Sequence, residues 1–340
     1  MKKIVFTICS NNYLAHAATL MQTWFHYHPD TIGYIILVDK INKAVDYSIV
    51  SAANVIEIEQ LNISSLNELV EKYNITELNT AVKPDAFLYL FEKHPSSKII
   101  YLDPDIMITG AFDEVFDSLD VNDFVLTPHI CKPIDDDKAP TDFHTLRGGV
   151  FNLGFIGLKD TEQINEFLYW WRDRVYKYGY CDLTNNMFYD QLWTNYIPTL
   201  YDKYSILKHP GYNMANWNLH ERTLSKTEDG NWLVNEKVEL KFFHFSGYKF
   251  TQPSEIGFYH TRYTFDTRPD LQSLFAEYQH NLIKNGAPAL KMIPCVYFEK
   301  YKQIKLIRQS ADEKAINAAT PYKVKAARKL ANIFRRIIYR

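Results

Sequence analysis

Two carboxylates two positions apart, Asp103 and Asp105, bracket a proline inside the stretch KIIYLDPDIMITG. In an extended chain alternate side chains share a side, so these two point together, and Pro104 pushes the residue before it toward extended geometry. Like charges held this close repel unless a cation sits between them. A hard divalent ion such as Mg²⁺ or Mn²⁺ takes carboxylate oxygens and fills its remaining positions with phosphate oxygens. Diphosphate is therefore the natural ligand class for this pair, although Asp-x-Asp alone also arises in solvated turns.

What positions the pair is a run of alternating elements. KIVFTI (3–8), YIILVD (34–39), NVIEI (54–58) and KIIYLD (98–103) read as buried strands. The stretch from Leu14 to Tyr27 and the patterns over 62–73 and 80–93 read as helices. Such alternation predicts a mostly parallel, Rossmann-like α/β sheet flanked by helices. Ligands in these sheets lie at the carboxyl ends of strands, where Asp103 and Asp105 fall. Downstream, VNDFVLTP (121–128), GGVFNLGFIGL (148–158) and VELKFFHFSG (238–247) read as strands, and 161–177 and 187–195 as helices. The acidic loop IDDDKAPTD (134–142) is the most mobile-looking segment before the tail.

Composition narrows the classes. With 340 residues, 46% hydrophobic and 23% charged, the chain is ordinary globular material able to bury a sizeable core. A net charge of -2 gives no reason to expect nucleic acid as a partner. The four cysteines form no CxxC pair and require no oxidising compartment. The N-terminal apolar run is too short for a signal peptide, and no run is long enough to span a bilayer. Charge is uneven in one place: 322–340 carries seven Lys and Arg and no acid, which leaves -9 on the rest. Its apolar residues recur at spacings of three and four. That segment reads as a basic amphipathic helix on an anionic membrane surface, or as one docked on its own domain.

The ordered motifs over about residues 3–250 resemble the GT-A nucleotide-sugar glycosyltransferases, in particular the retaining family 8 that includes glycogenin and bacterial lipopolysaccharide galactosyltransferases. IIYLDPDIMI is similar to the family's metal-binding DxD segment. FTICSNNY resembles its opening nucleotide-binding strand and loop, which would give Thr7, Asn12 and Tyr13 contacts with base and ribose. AVKPDAFLYLF places Lys83 where a basic residue reaches the donor's phosphates or sugar, with Asp85 as a further sugar contact. GVFNLGFIGL is similar to the Phe-Asn-(small)-Gly strand, so Asn152 would meet the donor sugar. FYDQLWTNY resembles the Asp-Gln segment, which assigns Asp190 to sugar hydroxyls and Gln191 to the anomeric carbon, both as catalytic candidates. FFHFSGYK is similar to the HxxGxxK signature: His244 would be the third metal ligand, Gly247 would let backbone approach the diphosphate, and Lys249 would neutralise the leaving phosphate. Here the spacing is one residue short, HxxGxK, and the usual Pro-Trp is missing.

The amide-rich NMANWNLHER resembles a segment of bacterial polysaccharide-cluster glycosyltransferases. Its Asn213, Asn216, Trp217, Asn218 and His220 offer the amides and flat ring that sugars need. The resemblance implies a GT-A domain over 1–265, a helical extension over 266–320 and a tail helix over 321–340. It further implies an enzyme of the hexosyltransferase type that uses Mn²⁺ or Mg²⁺ and a UDP-sugar, with GDP as the other nucleotide in play. The acceptor would be a saccharide or lipid-linked molecule of bacterial surface polysaccharide or lipopolysaccharide synthesis. The location would be cytoplasmic, peripheral on the inner face of the membrane. Competing classes are a non-catalytic carbohydrate-binding protein, served by 15% aromatic residues, and a sugar-1-phosphate nucleotidyltransferase, which needs a glycine-rich loop although no glycine precedes Gly33. No GxxxxGK[ST] motif is present for a P-loop enzyme.

Overall fold

A computed structural model describes residues 1–319. Seven strands form the central sheet: β1 (Lys2–Cys9), β2 (Ile32–Leu37), β3 (Ala53–Glu57), β4 (Ser97–Leu102), β6 (Phe124–Pro128), β7 (Phe151–Lys159) and β10 (Tyr204–Ile206). Their spatial order is β10-β6-β7-β4-β1-β2-β3. β3, β2, β1 and β4 pair in parallel, β10 pairs in parallel with β6, and β7 runs antiparallel to both β4 and β6. The carboxyl ends of β1, β4 and β6 and the amino end of β7 therefore meet at one edge.

Period-two alternation splits β1 between two cores. Val5 and Cys9 join the layer that contains α1 (Leu14–Tyr27). Ile4, Phe6 and Ile8 join the layer under α2 (Leu66–Lys72), α3 (Ile75–Ala81), α4 (Lys83–Lys93) and α7 (Glu162–Tyr178). Apolar residues on both faces are what a two-sided α/β sheet requires. Helix α5 (Asp113–Val121) packs against β6 and β7, while α6 (Asp142–Gly148) lies beside the sheet edge.

A second sheet carries part of the site. β5 (Ile106–Ile108) pairs antiparallel with β15 (Phe242–His244), which pairs in parallel with β11 (Met214–Ala215). Smaller units are the pair β8 (Cys181–Asp182) and β9 (Met187–Phe188), and the three-stranded β12 (Leu224–Lys226), β13 (Trp232–Val234) and β14 (Val238–Glu239). The short α8 (Ile197–Leu200) precedes β10. Helices α9 (Gln272–Lys284) and α10 (Ala287–Leu290) bury Leu274, Phe275, Tyr278, Leu282 and Leu290 in the same layer as α1. Tyr278 stacks on Phe245 with centroids 3.7 Å apart. Helix α11 (Val296–Ala319) lies against α2 through Lys300 to Asn67 and Arg308 to Glu71.

Several sequence expectations need correction. The helix expected over 80–93 is the end of α3 and the whole of α4, divided at Val82, whose φ -90° and ψ 1° leave the helical region just before Lys83 and Pro84 open α4. The segment 187–195 is not an α-helix but β9 followed by a 3₁₀ stretch, Gln191–Tyr196. The strand read over 121–128 begins only at Phe124, since Val121 ends α5. The strand over 238–247 is interrupted between Glu239 and Phe242. The acidic loop is tied down: Arg262 binds Asp136 at 2.9 Å and donates to the carbonyls of Lys138 and Pro140. Among the described residues no helix is long and apolar enough to cross a membrane. The basic tail, 321–340, lies outside the described residues.

Candidate functional site

Asp103 follows β4 directly, and its backbone N–H donates to the carbonyl of Gly154 in β7. His244 reaches it by strand pairing. Its register partner in β5 is Ile106, and the N–H of Phe245 donates to the carbonyl of Asp105, so the ends of β5 and β15 are closed together. The result is a three-residue cluster whose donor atoms all lie within 4.8 Å of one another: Asp103, Asp105 and His244. His244 Nε2 is 3.1 Å from Asp105 Oδ1 and 3.7 Å from Asp103 Oδ2. The imidazole is 4% exposed while the carboxylates are 28% and 18% exposed, so the cluster is backed by protein and open on its carboxylate side.

The charges explain its electrostatics. Burial pushes Asp103 above the usual carboxylate range, against the pull of Lys83 and His244. Burial acts in the same sense on Asp105, but the charge and hydrogen bond of His244 prevail and hold it low. His244 is raised, because Asp105 and Asp103 outweigh the cost of desolvation. The protonated form of the imidazole, which the two carboxylates favour, offsets their mutual repulsion. Two carboxylates and one imidazole, clustered and accessible, are a donor set that fits Mn²⁺ or Mg²⁺. Tyr101 lies two positions before Asp103 on the same side of the strand and donates to Asp103 Oδ1 at 2.5 Å.

Lys83 sits at the start of α4, followed by Pro84 in the first turn. A helix N-terminus is a poor place for a cation, and the residue is only 1% exposed. Its ammonium is compensated by Asp190 Oδ2 at 2.6 Å and the carbonyl of Leu153 at 3.0 Å, and it stands 4.1 Å from the centroid of the Tyr101 ring. Asp190 is itself buried, with its carbonyl accepting from the indole of Trp171. Gln191 donates to the carbonyl of Gly148 at 2.6 Å, and its oxygen accepts from the N–H of Leu153 at 3.4 Å. Lys83, Asp190 and Gln191 therefore share the backbone around Leu153, two residues into β7.

The other expected residues fall into two groups. Tyr13 stacks face to face on His16 at 3.8 Å, and burial with the carboxylates of Asp105 and Asp103 pushes its phenol up. Asn12 accepts from the Ser10 hydroxyl, Thr7 is fully buried within β1, and Asp85 binds Tyr176 and Arg172 of α7. Gly247 has φ +76°, and a Cβ there would lie 2.5 Å from the Tyr259 ring, so only glycine suits the turn after β15. Lys249 is exposed over the Phe258 ring rather than directed at the cluster.

Much of the amide-rich segment is engaged internally. Asn218 accepts from the N–H of Ala215 and donates to the carbonyls of His129 and Asn213. Asn213 donates to Thr127 and Asn152, Asn216 to the carbonyl of Ser246, and His220 bonds the carbonyl of Lys132. Trp217 stands edge-on to His244, with centroids 5.1 Å apart. Sequence reasoning missed Tyr101 and His129. Tyr101 was detectable by its period-two relation to Asp103, and His129 by its place just past a strand at the ligand edge. Gly154 belongs to the Phe-Asn-(small)-Gly strand already singled out, and the group that approaches it closely is the His244 ring.

Among the solved structures this chain resembles are several glycosyltransferases. The galactosyltransferase LgtC in complex with donor and acceptor sugar analogs is 13% identical, with a TM-score of 0.46, covering 89% of this chain and 99% of that one. The glycosyltransferase GlyE of Streptococcus pneumoniae TIGR4 is 16% identical, with a TM-score of 0.48, covering 85% and 64%. The WbbM bifunctional glycosyltransferase is 14% identical, with a TM-score of 0.49, covering 84% and 51%. By sequence, the chain is 24% identical over 278 residues to the uncharacterized protein YfnF of Bacillus subtilis (strain 168), which spans 81% of this chain and 90% of that protein. It is 28% identical over 112 residues to YfnD of the same organism, about a third of either chain. No family model matches.

Proposed function

We propose that this chain is a metal-dependent glycosyltransferase of the retaining, family 8 kind. It would move a sugar from a nucleotide-sugar, a UDP-sugar in the first place, to a saccharide or lipid-linked acceptor in bacterial surface polysaccharide or lipopolysaccharide synthesis. The observation that carries the reading is the cluster of Asp103, Asp105 and His244 at the carboxyl edge of a parallel sheet, with the Lys83 and Asp190 pair beside it. Supporting it is the match of those residues, in order, to the family's motifs.

A divalent ion held by the cluster supplies charge neutralisation for a departing nucleoside diphosphate. The chain's own groups would do the rest. Tyr13 offers a stacking face for the base, with Thr7 and Asn12 on the same strand and loop. Lys83 and Asp103 meet the same Tyr101 side chain, one over its ring and the other at its hydroxyl, which would put a fixed positive charge near the diphosphate without a solvated side chain to immobilise. Lys249, exposed after the Gly247 turn, can swing toward the leaving phosphate. Asp190 would accept from donor-sugar hydroxyls at the oxygen it does not share with Lys83. Gln191 is neutral and pinned at both ends of its amide, which suits holding the sugar rather than bonding to it covalently. In the amide-rich segment, Asn216 Oδ1 and Trp217 Nε1 are buried without a partner and retain hydrogen-bonding capacity for a sugar.

The test is a thermal-shift panel of UDP, GDP, CDP and dTDP, each with and without Mn²⁺, on wild type and Asp105→Ala. A nucleotide at 100 times its dissociation constant stabilises by about 2.7 kcal/mol. We expect UDP with Mn²⁺ to raise the midpoint and the variant to lose the shift. Indifference to every nucleotide, with metal present, would sink the reading and favour a carbohydrate-binding protein.

A further inference from the structure

Asn152 carries more hydrogen bonds than a surface contact for a sugar would. Its Oδ1 accepts from the backbone N–H of Gly154 at 3.1 Å and from Asn213 Nδ2 at 3.1 Å, and it lies 3.2 Å from His244 Nδ1. A backbone N–H is a donor in every protonation state, so Gly154 fixes which end of the Asn152 amide faces inward. Reversing the amide would set its NH₂ against the Gly154 N–H and the Asn213 NH₂. With the oxygen so placed, His244 Nδ1 must be the donating, protonated nitrogen. The lone pair of a neutral His244 then belongs to Nε2, the atom that faces Asp105 and Asp103.

The same logic continues outward. Asn152 Nδ2 is 3.2 Å from His129 Nε2, so His129 accepts there. Asn213, with φ +54°, is anchored by a second bond from Nδ2 to the hydroxyl of Thr127 at 2.8 Å. The His244 ring is confined on both sides. Trp217 meets it edge-on, and a Cβ on Gly154 would lie 2.4 Å from its Cε1. A side chain at 154 would displace the ring that Asn152 holds.

We propose that Asn152 is a positioning residue for the cation: anchored by Gly154 and Asn213, it fixes His244 as the Nδ1–H tautomer and aims Nε2 at the space shared with Asp103 and Asp105. This rests on the metal reading of that cluster and adds to it the residue that sets the geometry. Outer partners of ligating histidines usually change metal affinity by about 10- to 100-fold.

The decisive measurement is Mn²⁺ affinity of the full chain without nucleotide, read from the paramagnetic resonance signal of free Mn²⁺. Asn152→Ala should bind 10- to 100-fold more weakly than wild type. Asn152→Asp keeps the acceptor toward His244 and should equal or exceed wild type, whereas Asn152→Leu, of similar bulk but without an acceptor, should bind as weakly as Asn152→Ala; wild-type affinity in Asn152→Leu would reduce the residue to packing and overturn the proposal. Asn152→Ala binding like wild type overturns the positioning role and leaves the metal site standing. Wild type failing to bind Mn²⁺ at all overturns the metal reading and this inference with it. Should Asn152→Ala fail to fold, ¹⁵N shifts of the His244 ring in Mg²⁺-loaded wild type decide: protonation at Nδ1 is expected, and protonation at Nε2 overturns the proposal.

Discussion

At the scale of single residues, the pair most exposed to test is Lys83 with Asp190. Both are buried, one at the first residue of α4 and the other at the entry to the 3₁₀ stretch 191–196. Removing one member of a buried ion pair leaves an uncompensated charge and costs about 3–5 kcal/mol, whereas replacing both by apolar groups is often near neutral. We expect Asp190→Leu to lose roughly that amount in urea unfolding, and Lys83→Met with Asp190→Leu to recover much of it. Additive losses would mean that the two residues are stabilised by separate partners. The sequence showed Lys83 and Asp190 each beside a motif, but not that they touch. They are 107 positions apart in the chain, and only the approach of the start of α4 to the amino end of β7 and the 3₁₀ stretch joins them.

At the scale of elements, the alternation of strands and helices was legible because each strand of the parallel half carries apolar side chains on both faces. β1, β2 and β4 lie within about two residues of their expected bounds, and α1 spans Leu14–Tyr27 as read. Where reading failed, the local signal was a cap or a short irregular stretch, such as the non-helical Val82 that divides α3 from α4. The contact between α4 and α7 holds a second prediction. Asp85 on α4 accepts from the Tyr176 hydroxyl at 2.9 Å and faces Arg172, yet burial raises its carboxyl to about 6. Because the folded value lies above the unfolded one, its contribution is fully present below pH 3.8 and is lost as pH rises through 6. The ionised form therefore strains this contact at neutral pH, by at most about 3 kcal/mol. Asp85→Asn should accordingly gain stability relative to wild type on going from pH 4 to pH 7.5 in paired urea titrations. A difference that does not change with pH would show Arg172 to be a full counter-charge.

At the scale of the whole molecule, the site is assembled from segments that the sequence lists far apart, around 83, 103, 152, 190 and 244. Motif order pointed to most of them, but the interior hydrogen-bond network did not show, because an asparagine's partners are set by tertiary packing rather than by its neighbours. The same packing makes the fold sensitive to acid. His28 Nε2 accepts from the N–H of Phe112 and His260 Nε2 from the N–H of Tyr263, both at 2.9 Å. Burial lowers each imidazole to about 4. Protonation would set an N–H against a backbone N–H in both places. The folded values lie below the ordinary 6.5, so these rings contribute stability that is complete above pH 6.5 and is lost as pH falls through 4. The two rings tie different parts of the chain, the start of α5 and the strap beside the acidic loop, so the loss should be global rather than confined to one loop. We expect the urea midpoint to fall steadily from pH 7 to pH 4.5, and the fall to be shallower in His28→Gln, whose side-chain oxygen can still accept from Phe112 but cannot take up a proton in that range. An equal slope in that variant would place the acid sensitivity in other groups.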